Sequence, residues 1–427
     1  MASSRPAFDP QGSESGHPLG TLSGRVIRWP APPGAGGEGA YAVKVSGLPW
    51  NQAAGVADAS VRAGFQVSSS DGEIVIEGPG SCFAAVAPSA HDALSAAARV
   101  VDRFRNPPRV LRARMRTFDL RRPLVVGILN ATPDSFYDQG RYFDREAAIR
   151  RAEEMAAEGA DLIEVGGETA RPGPRVDPDE EHRRVVPLVE VLAARLPVPV
   201  SVDTYMPAVA RRAVDAGAVL INDISGLEDI RMAEIAAASE AALVVMHIRG
   251  RPKVRQLDPR YRSVVDDVYA FLESRTAAAE TAGVPRAQVV IDPGFSFGKA
   301  PHHDVEVLRR LGEFRSLGYP IYLATSRKNY IRDLMGLPFE ELLEGTAAAV
   351  AYGVAQGASL VRTHDVKFMA RVVRMMQAIL HAGAIEPAEV DGRGQASQRS
   401  RPDTDRPSGR GQRGYPTGGP DDPACDR

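Results

Sequence analysis

From Pro123 onward the chain alternates between short apolar runs and longer stretches with helical spacing. The runs are Leu124–Leu129, Leu162–Val165, Val198–Val202, Val219–Asn222, Leu243–His247, Val289–Asp292, Ile321–Thr325 and Leu360–Arg362. Short β-branched runs bounded by turn residues read as buried strands. The stretches between them, such as Arg145–Glu158 and Pro207–Ala216, carry apolar residues at helical spacing. Several helices end in Gly followed by Ala and the next strand, as in Glu158-Gly159-Ala160, Ala216-Gly217-Ala218 and Gln356-Gly357-Ala358. Glycine there permits the left-handed residue that stops a helix. Eight strand–helix units in about 260 residues predict a (β/α)8 (TIM) barrel. A doubly wound sheet is the runner-up, but it would not need so even an eightfold spacing.

Ahead of the barrel the pattern differs. Tyr41–Val45 alternates as a strand, Trp50–Ala63 has helical content, and Gln66–Ser68 and Glu73–Glu77 flank the turn Ser70-Asp71-Gly72. Asp92–Phe104 reads as a helix with Ser89 as its cap. This order predicts a small α+β domain over 38–112, with a docking or oligomerisation role. Residues 1–37 and 389–427 are rich in Gly, Pro and polar residues. Segments of that composition bury too little apolar surface to offset the entropy of ordering. Both are expected to be disordered, and the barrel to span 118–388.

Composition narrows the function. Hydrophobic residues make up 44% and charged residues 25%, as in an ordinary globular chain. Lys plus Arg number 52 and Asp plus Glu 54, so no bulk charge favours nucleic acid. Cys82 and Cys425 are the two cysteines, which excludes a disulfide scaffold and a Cys-rich zinc site. No apolar run approaches membrane-spanning length, and Met1–Pro6 lacks a charged-then-apolar signal pattern. A cytoplasmic protein with neither membrane nor nucleic-acid partner is the expectation.

The candidate chemistry lies at the strand ends, where barrels of this kind build their active sites. The eight runs lead in turn into Asn130, Glu164 with Gly166–Gly173, Asp203, Asn222-Asp223, Met246-His247, Asp292–Lys299, Thr325–Lys328 and Arg362–Asp365. Arg327, Lys328, Arg362 and His364 form a cationic side suited to phosphate oxygens. Asp203, Asn222 and Asp292 suit the alternating N–H and carbonyl edge of an aminopyrimidinone. Asn130 offers a hard oxygen of the kind Mg²⁺ accepts. There is no His/Cys cluster, P-loop spacing or Gly-x-Ser-x-Gly elbow. The residues alone therefore point to a barrel enzyme acting on a phosphorylated polar heterocycle. Several neighbours read as structural: Asp134 as a loop cap, Glu168 as a brace for the second loop, and Asp223 and Asp365 as supporting partners. Lys299 reads either as a substrate contact or as half of an ion pair. His182, His302 and His303 read as surface residues, and His247 as core or rim.

Over about residues 118–385 the chain resembles the dihydropteroate synthase family. The likeness rests on Gly127–Phe136, Val165–Glu168, Ser201–Thr204, Ile221–Asp223, Asp292–Phe295 with Phe297–Lys299, Thr325–Lys328, Glu344–Ala348 and Arg362–Asp365, in family order. The resemblance implies condensation of 6-hydroxymethyl-7,8-dihydropterin diphosphate with 4-aminobenzoate, assisted by Mg²⁺, giving 7,8-dihydropteroate and diphosphate. It implies that Asp203, Asn222, Met246, Asp292, Phe297 and Lys328 hold the pterin. It also implies that Asn130, Arg362 and His364 hold the diphosphate, with Asn130 on the metal. Lys328, Arg362, His364 and Asp292 would carry catalysis. The loops Ala131–Gly140 and Glu168–Gly173 would be mobile, and a homodimer is implied.

Three departures fall on the aminobenzoate side, which the resemblance assigns to Ala170, Arg171, Pro172 and Asn329. Where the family usually has Ser-Thr-Arg-Pro, this chain has Thr169-Ala170-Arg171-Pro172. Asn329 replaces a Ser, and Gln139 replaces a Gly in the first loop. Two main readings follow: an active synthase with a variant aminobenzoate side, and a pterin-diphosphate-binding paralogue without synthase activity. A folate-dependent methyltransferase is a third, and it would not need Arg362 and His364 as anion ligands.

Overall fold

The computed structural model describes residues 22–28, 40–46, 50–70, 73–86, 92–132, 145–254, 256 and 258–380. The small unit is built from strands β1 (Ser23–Arg28), β2 (Ala40–Ser46), β3 (Gln66–Ser70) and β4 (Glu73–Pro79). They form an antiparallel sheet in the order β1-β2-β4-β3. Helices α1 (Trp50–Arg62), α2 (Gly80–Ala84) and α3 (Asp92–Arg105) complete the unit. Val26, Val43, Val45, Ile74 and Ile76 from the sheet meet Val100, Val101 and Phe104 from α3 in one core. The expected cap Ser89 lies outside the described residues.

Two expected boundaries are corrected. Ser23–Arg28 lies inside the segment expected to be disordered, yet it forms an edge strand of the small sheet. The boundary at 112 cuts through a hairpin, β5 (Val110–Ala113) with β6 (Arg116–Asp119). That hairpin belongs with the barrel. Leu111, Ala113 and Leu120 pack with Leu124, Leu162, Leu220, Val244, Val290 and Leu360 and close the end of the barrel where its strands begin.

The barrel strands are β7 (Leu124–Asn130), β8 (Leu162–Gly166), β9 (Val200–Asp203), β10 (Leu220–Asp223), β11 (Ala242–Met246), β12 (Val289–Asp292), β13 (Tyr322–Leu323) and β14 (Leu360–Thr363). All pair in parallel, in the order β12-β11-β10-β9-β8-β7-β14-β13. A bridge between Ile291 and Ile321 closes the ring. The surrounding helices are α4 (Arg145–Glu158), α5 (Pro178–Arg195), α6 (Pro207–Asp215), α7 (Arg231–Ser239), α8 (Val264–Thr281), α9 (Pro301–Arg309), α10 (Asn329–Met335), α11 (Leu343–Ala355) and α12 (Val366–Leu380). Among the described residues no helix is long and apolar enough to cross a membrane. Gly217 takes the expected left-handed conformation (φ 115°), and a Cβ there would come within 2.7 Å of Ala193.

The small unit is fastened to the barrel by polar and stacking contacts. Arg25 is buried and pairs with Asp266 of α8 and with Glu313, 2.7 Å away. Lys44 reaches Asp266 at 3.2 Å, and the Tyr269 hydroxyl donates to the Gly24 carbonyl at 2.8 Å. The Arg315 guanidinium sits 4.2 Å over the Phe104 ring and donates to the Phe104 carbonyl at 2.7 Å.

Candidate active site

Side chains alternate along a strand, so one set faces the barrel interior. That set begins with the apolar layer of Leu162, Leu220, Val244, Val290 and Leu360. Two residues further along each strand it becomes Glu164, Asn222, Met246, Asp292 and Arg362. The same periodicity that builds the core therefore delivers a mostly polar layer to the end where barrel chemistry occurs.

A cavity of about 520 Å3 opens above this layer. Asn130, Asp203, Phe297, Lys328, Arg362 and His364 all line it. So do Ala170, Arg171 and Pro172 of the second loop and Asn329 at the start of α10. Asn222, Met246 and Asp292 do not. They are 2%, 2% and 1% exposed. From Pro133 onward the first loop, including Asp134 and Gln139, lies outside the described residues.

Arg362 is the central cation. Its Nε donates to Glu164 and its Nη2 to Asp203 at 2.6 Å. Burial pushes the Asp203 carboxyl above its usual range, against the pull of Arg362. Burial also raises Asp292 to about 6, although its Oδ1 accepts the Gly294 amide at 2.7 Å. Lys328 lies 4.6 Å over the Phe297 ring. Its ammonium is brought down to about 8, mainly by burial and next by Arg362.

His364 is lowered to about 3 by burial and then by Arg362, so its imidazole is neutral near pH 7. Its Nδ1 lies 3.0 Å from the Ser326 hydroxyl, which also sits 3.2 Å from the His364 amide. A hydroxyl that donates to Nδ1 leaves the ring proton on Nε2.

Arg327 lines the cavity beside Lys328, Arg362 and His364, but its guanidinium is engaged by the protein. It makes a two-point ion pair with Asp365, at 2.8 and 2.9 Å, and also donates to the carbonyls of Phe339 and Glu340. Its charge is spent inside the fold, where it fixes the loop bearing Lys328 against the loop bearing His364. Asp365 is thus a supporting partner, as is Asp223, which accepts from the Ser225 amide and hydroxyl and the Leu227 amide.

The loops are held by specific bonds. Glu168 accepts the Val176 amide and the Tyr205 hydroxyl, both at 2.6 Å, and so braces the second loop. Lys253 donates to the Thr169 carbonyl at 3.0 Å and joins that loop to the one after β11. After β12, Lys299 reaches His247 Nδ1 at 2.7 Å and the Gly294 carbonyl at 2.6 Å. His247 is therefore core, and Lys299 bonds an imidazole and a carbonyl instead of a carboxylate. Asp304 accepts the Ser296 amide at 2.9 Å, and Tyr261 donates to the Gly298 carbonyl at 2.7 Å. Phe297 stands between these anchors. A Cβ on Gly294 would fall 1.9 Å from the His247 carbonyl oxygen, so only glycine fits there.

Sequence reasoning passed over Lys253 and the partners of Glu164. Lys253 belongs to no motif. Glu164 carries a signal in hindsight, because it is an acidic residue at an inward position of a buried strand.

The comparisons with known proteins agree with this geometry. The family described as "Pterin binding enzyme" matches residues 126–364. The dihydropteroate synthase of Bacillus subtilis is 44% identical over 264 residues, which is 61% of this chain and 90% of that protein. The Yersinia pestis dihydropteroate synthase, solved with a sulfonamide drug, is 38% identical. Its TM-score is 0.62, covering 64% of this chain and 99% of that one. The Thermus thermophilus dihydropteroate synthase, solved in complex with 4-aminobenzoate, is 41% identical with a TM-score of 0.58, covering 64% of this chain and all of that one. On the strength of this barrel, this polar layer and these likenesses, the chain belongs to the dihydropteroate synthase family of pterin-binding transferases.

Proposed function

We propose that the cavity binds 6-hydroxymethyl-7,8-dihydropterin diphosphate and condenses it with 4-aminobenzoate, releasing 7,8-dihydropteroate and diphosphate. One observation carries the assignment of roles. Hydrogen-bond acceptors (Asp203 in the cavity wall, Asn222 and Asp292 in the buried layer beneath it) lie beside a wall of donors and cations (Lys328, Arg362, His364). That division suits a ligand with an N–H-rich ring and an anionic tail.

The C–O bond to the pterin methylene breaks, and the electron pair leaves with the diphosphate. Arg362 and the Nε2–H of neutral His364 stabilise the charge that develops there. Asp203 and Asp292 hold the electron-deficient ring, with Lys328 and Phe297 at its edge. The amine of 4-aminobenzoate attacks the methylene carbon, and its proton departs with the diphosphate. The loop of Ala170, Arg171 and Pro172, with Asn329 opposite, orients the arylamine. Positioning and charge stabilisation account for the acceleration.

Magnesium fits this donor set as an ion shared with substrate. Asn130 offers one hard oxygen at the cavity. Among the described residues no group of three or more His, Cys, Asp or Glu could hold a metal. Most ligands would thus be diphosphate oxygens and water, as Mg²⁺ usually takes them. Bound there, the ion supplies positive charge to the leaving oxygen.

We also propose a homodimer through α11 and α12. Phe368, Met375 and Ile379 of α12 are 48%, 61% and 57% exposed, and Tyr352 of α11 is 42% exposed. Contiguous exposed apolar side chains mark interaction surfaces.

The activity is tested by incubating the protein with the pterin diphosphate, Mg²⁺ and 4-aminobenzoate. Dihydropteroate and diphosphate should appear in equal amounts. Pterin binding without product would replace the synthase with a pterin-diphosphate-binding protein.

A further inference from the structure

Glu164 is fully buried on the barrel axis side of β8 and accepts from three other strands. Asn222 Nδ2 of β10 and Arg362 Nε of β14 both donate to its Oε1, the former at 3.2 Å. The Tyr322 hydroxyl of β13 donates to Oε2 at 2.8 Å. Both carboxyl oxygens are therefore occupied as acceptors.

This has a chemical consequence for Asn222. An amide presents either its NH2 or its carbonyl to a neighbour. Facing a group that only accepts, Asn222 must turn its NH2 inward. Its Oδ1 is then left as the free end, and that buried oxygen has no partner among the described residues. A buried acceptor without a donor is costly, and a ligand N–H would remove the cost.

We propose that Glu164 is a positioning and specificity-determining residue. It locks the Asn222 amide with its carbonyl oxygen as the unpaired end in the layer beneath the cavity, and thereby selects a heterocycle that reaches this layer with an edge carrying N–H donors. Glu164 never touches the substrate. Through Arg362, which also bonds Asp203, the same carboxyl ties the ring-binding side to the anion-binding side. The inference rests on reading the cavity as a pterin site.

The test compares two ligands by calorimetry: 6-hydroxymethylpterin and its lumazine analogue, in which a ring carbonyl replaces the 2-amino donor. Sites built around a hydrogen bond reject the analogue that cannot make it, so the wild-type protein should prefer the pterin by about 100-fold. Glu164→Gln keeps the side-chain volume but can donate to Asn222, which frees that amide to flip. The preference should then fall by about 10-fold or more. Tyr322→Phe leaves the Glu164 carboxyl facing Asn222 and should keep the wild-type ratio. Equal binding of the two ligands by the wild type would overturn the proposal, whether or not Glu164→Gln folds. So would a ratio unchanged in Glu164→Gln, or one that collapses equally in Tyr322→Phe, which would mark a packing effect. Failure of the wild type to bind either ligand would instead count against the pterin reading itself.

Discussion

Asp292 and Lys328 interact within the same site and titrate on opposite sides of neutrality. Burial raises Asp292 to about 6, so below that pH its carboxyl protonates and ceases to be a pure acceptor. Lys328 loses its charge above about 8. The kcat/KM for the pterin diphosphate should therefore rise through about pH 6 and fall beyond about pH 8. Such profiles report groups of the free enzyme. Asp292→Asn should weaken the acid limb and leave the part carried by Asp203, which burial also raises, and a profile flat from about pH 5 to 9 would contradict both assignments. At this scale the cavity-lining Asn130, Asp203, Arg362 and His364 are legible as lining residues, because each stands at or just past the end of an apolar run. Arg327 lines the cavity as its place in the chain predicts, but its pairing is not legible, for a physical reason. Its type and place match a phosphate ligand, but its partners Asp365, Phe339 and Glu340 lie 12 to 38 residues away and meet it only in the fold.

Among elements, the β5–β6 hairpin has the clearest energetic role. Leu111 is completely buried among Leu124, Leu162 and Val290 at the closed end of the barrel. Leu111→Ala should cost about 2–5 kcal/mol of stability, as large-to-small core changes do. Chemical denaturation should show a lower midpoint with an unchanged slope. Pterin affinity should stay the same, since the hairpin lies at the far end from the cavity. The barrel strands were easy to read because their runs are short, apolar and regularly spaced. β1 is hard to read because Val26 is its one large core side chain, with Gly24 beside it on that face, while Arg25 on the opposite face is buried against Asp266 and Glu313 far along the chain. A strand buried on both faces with a charge on one of them lacks the apolar–polar alternation by which a strand is read.

For the whole molecule, the near-zero net charge conceals local separation, with cations gathered at the cavity and an apolar stripe on α12. If that stripe joins two copies, Phe368→Glu with Met375→Glu should halve the mass seen by sedimentation. An unchanged mass would remove the proposed interface. The small unit was legible as a domain, but its seat was not, since Arg25, Lys44 and Phe104 meet α8 and the turns near Arg315 only in three dimensions.

That seat has a consequence for the ring itself. β12 and β13 are joined by the bridge at Ile291 and Ile321, with the Ile291 amide on the Pro320 carbonyl at 3.0 Å. The 3-10 segment Leu311–Leu317 leads into β13, and β1 and α3 of the small unit pack on it. The small unit thus works as a splint across the thinnest seam of the barrel. Arg25→Ala with Arg315→Ala should speed hydrogen exchange at the Ile291 amide before that of β8 and β9, where the ladder is longer. Uniform acceleration around the ring would show that the seam carries no special weakness. If the seam yields first, a domain without a catalytic group of its own keeps the rim above it in register by holding the cylinder shut.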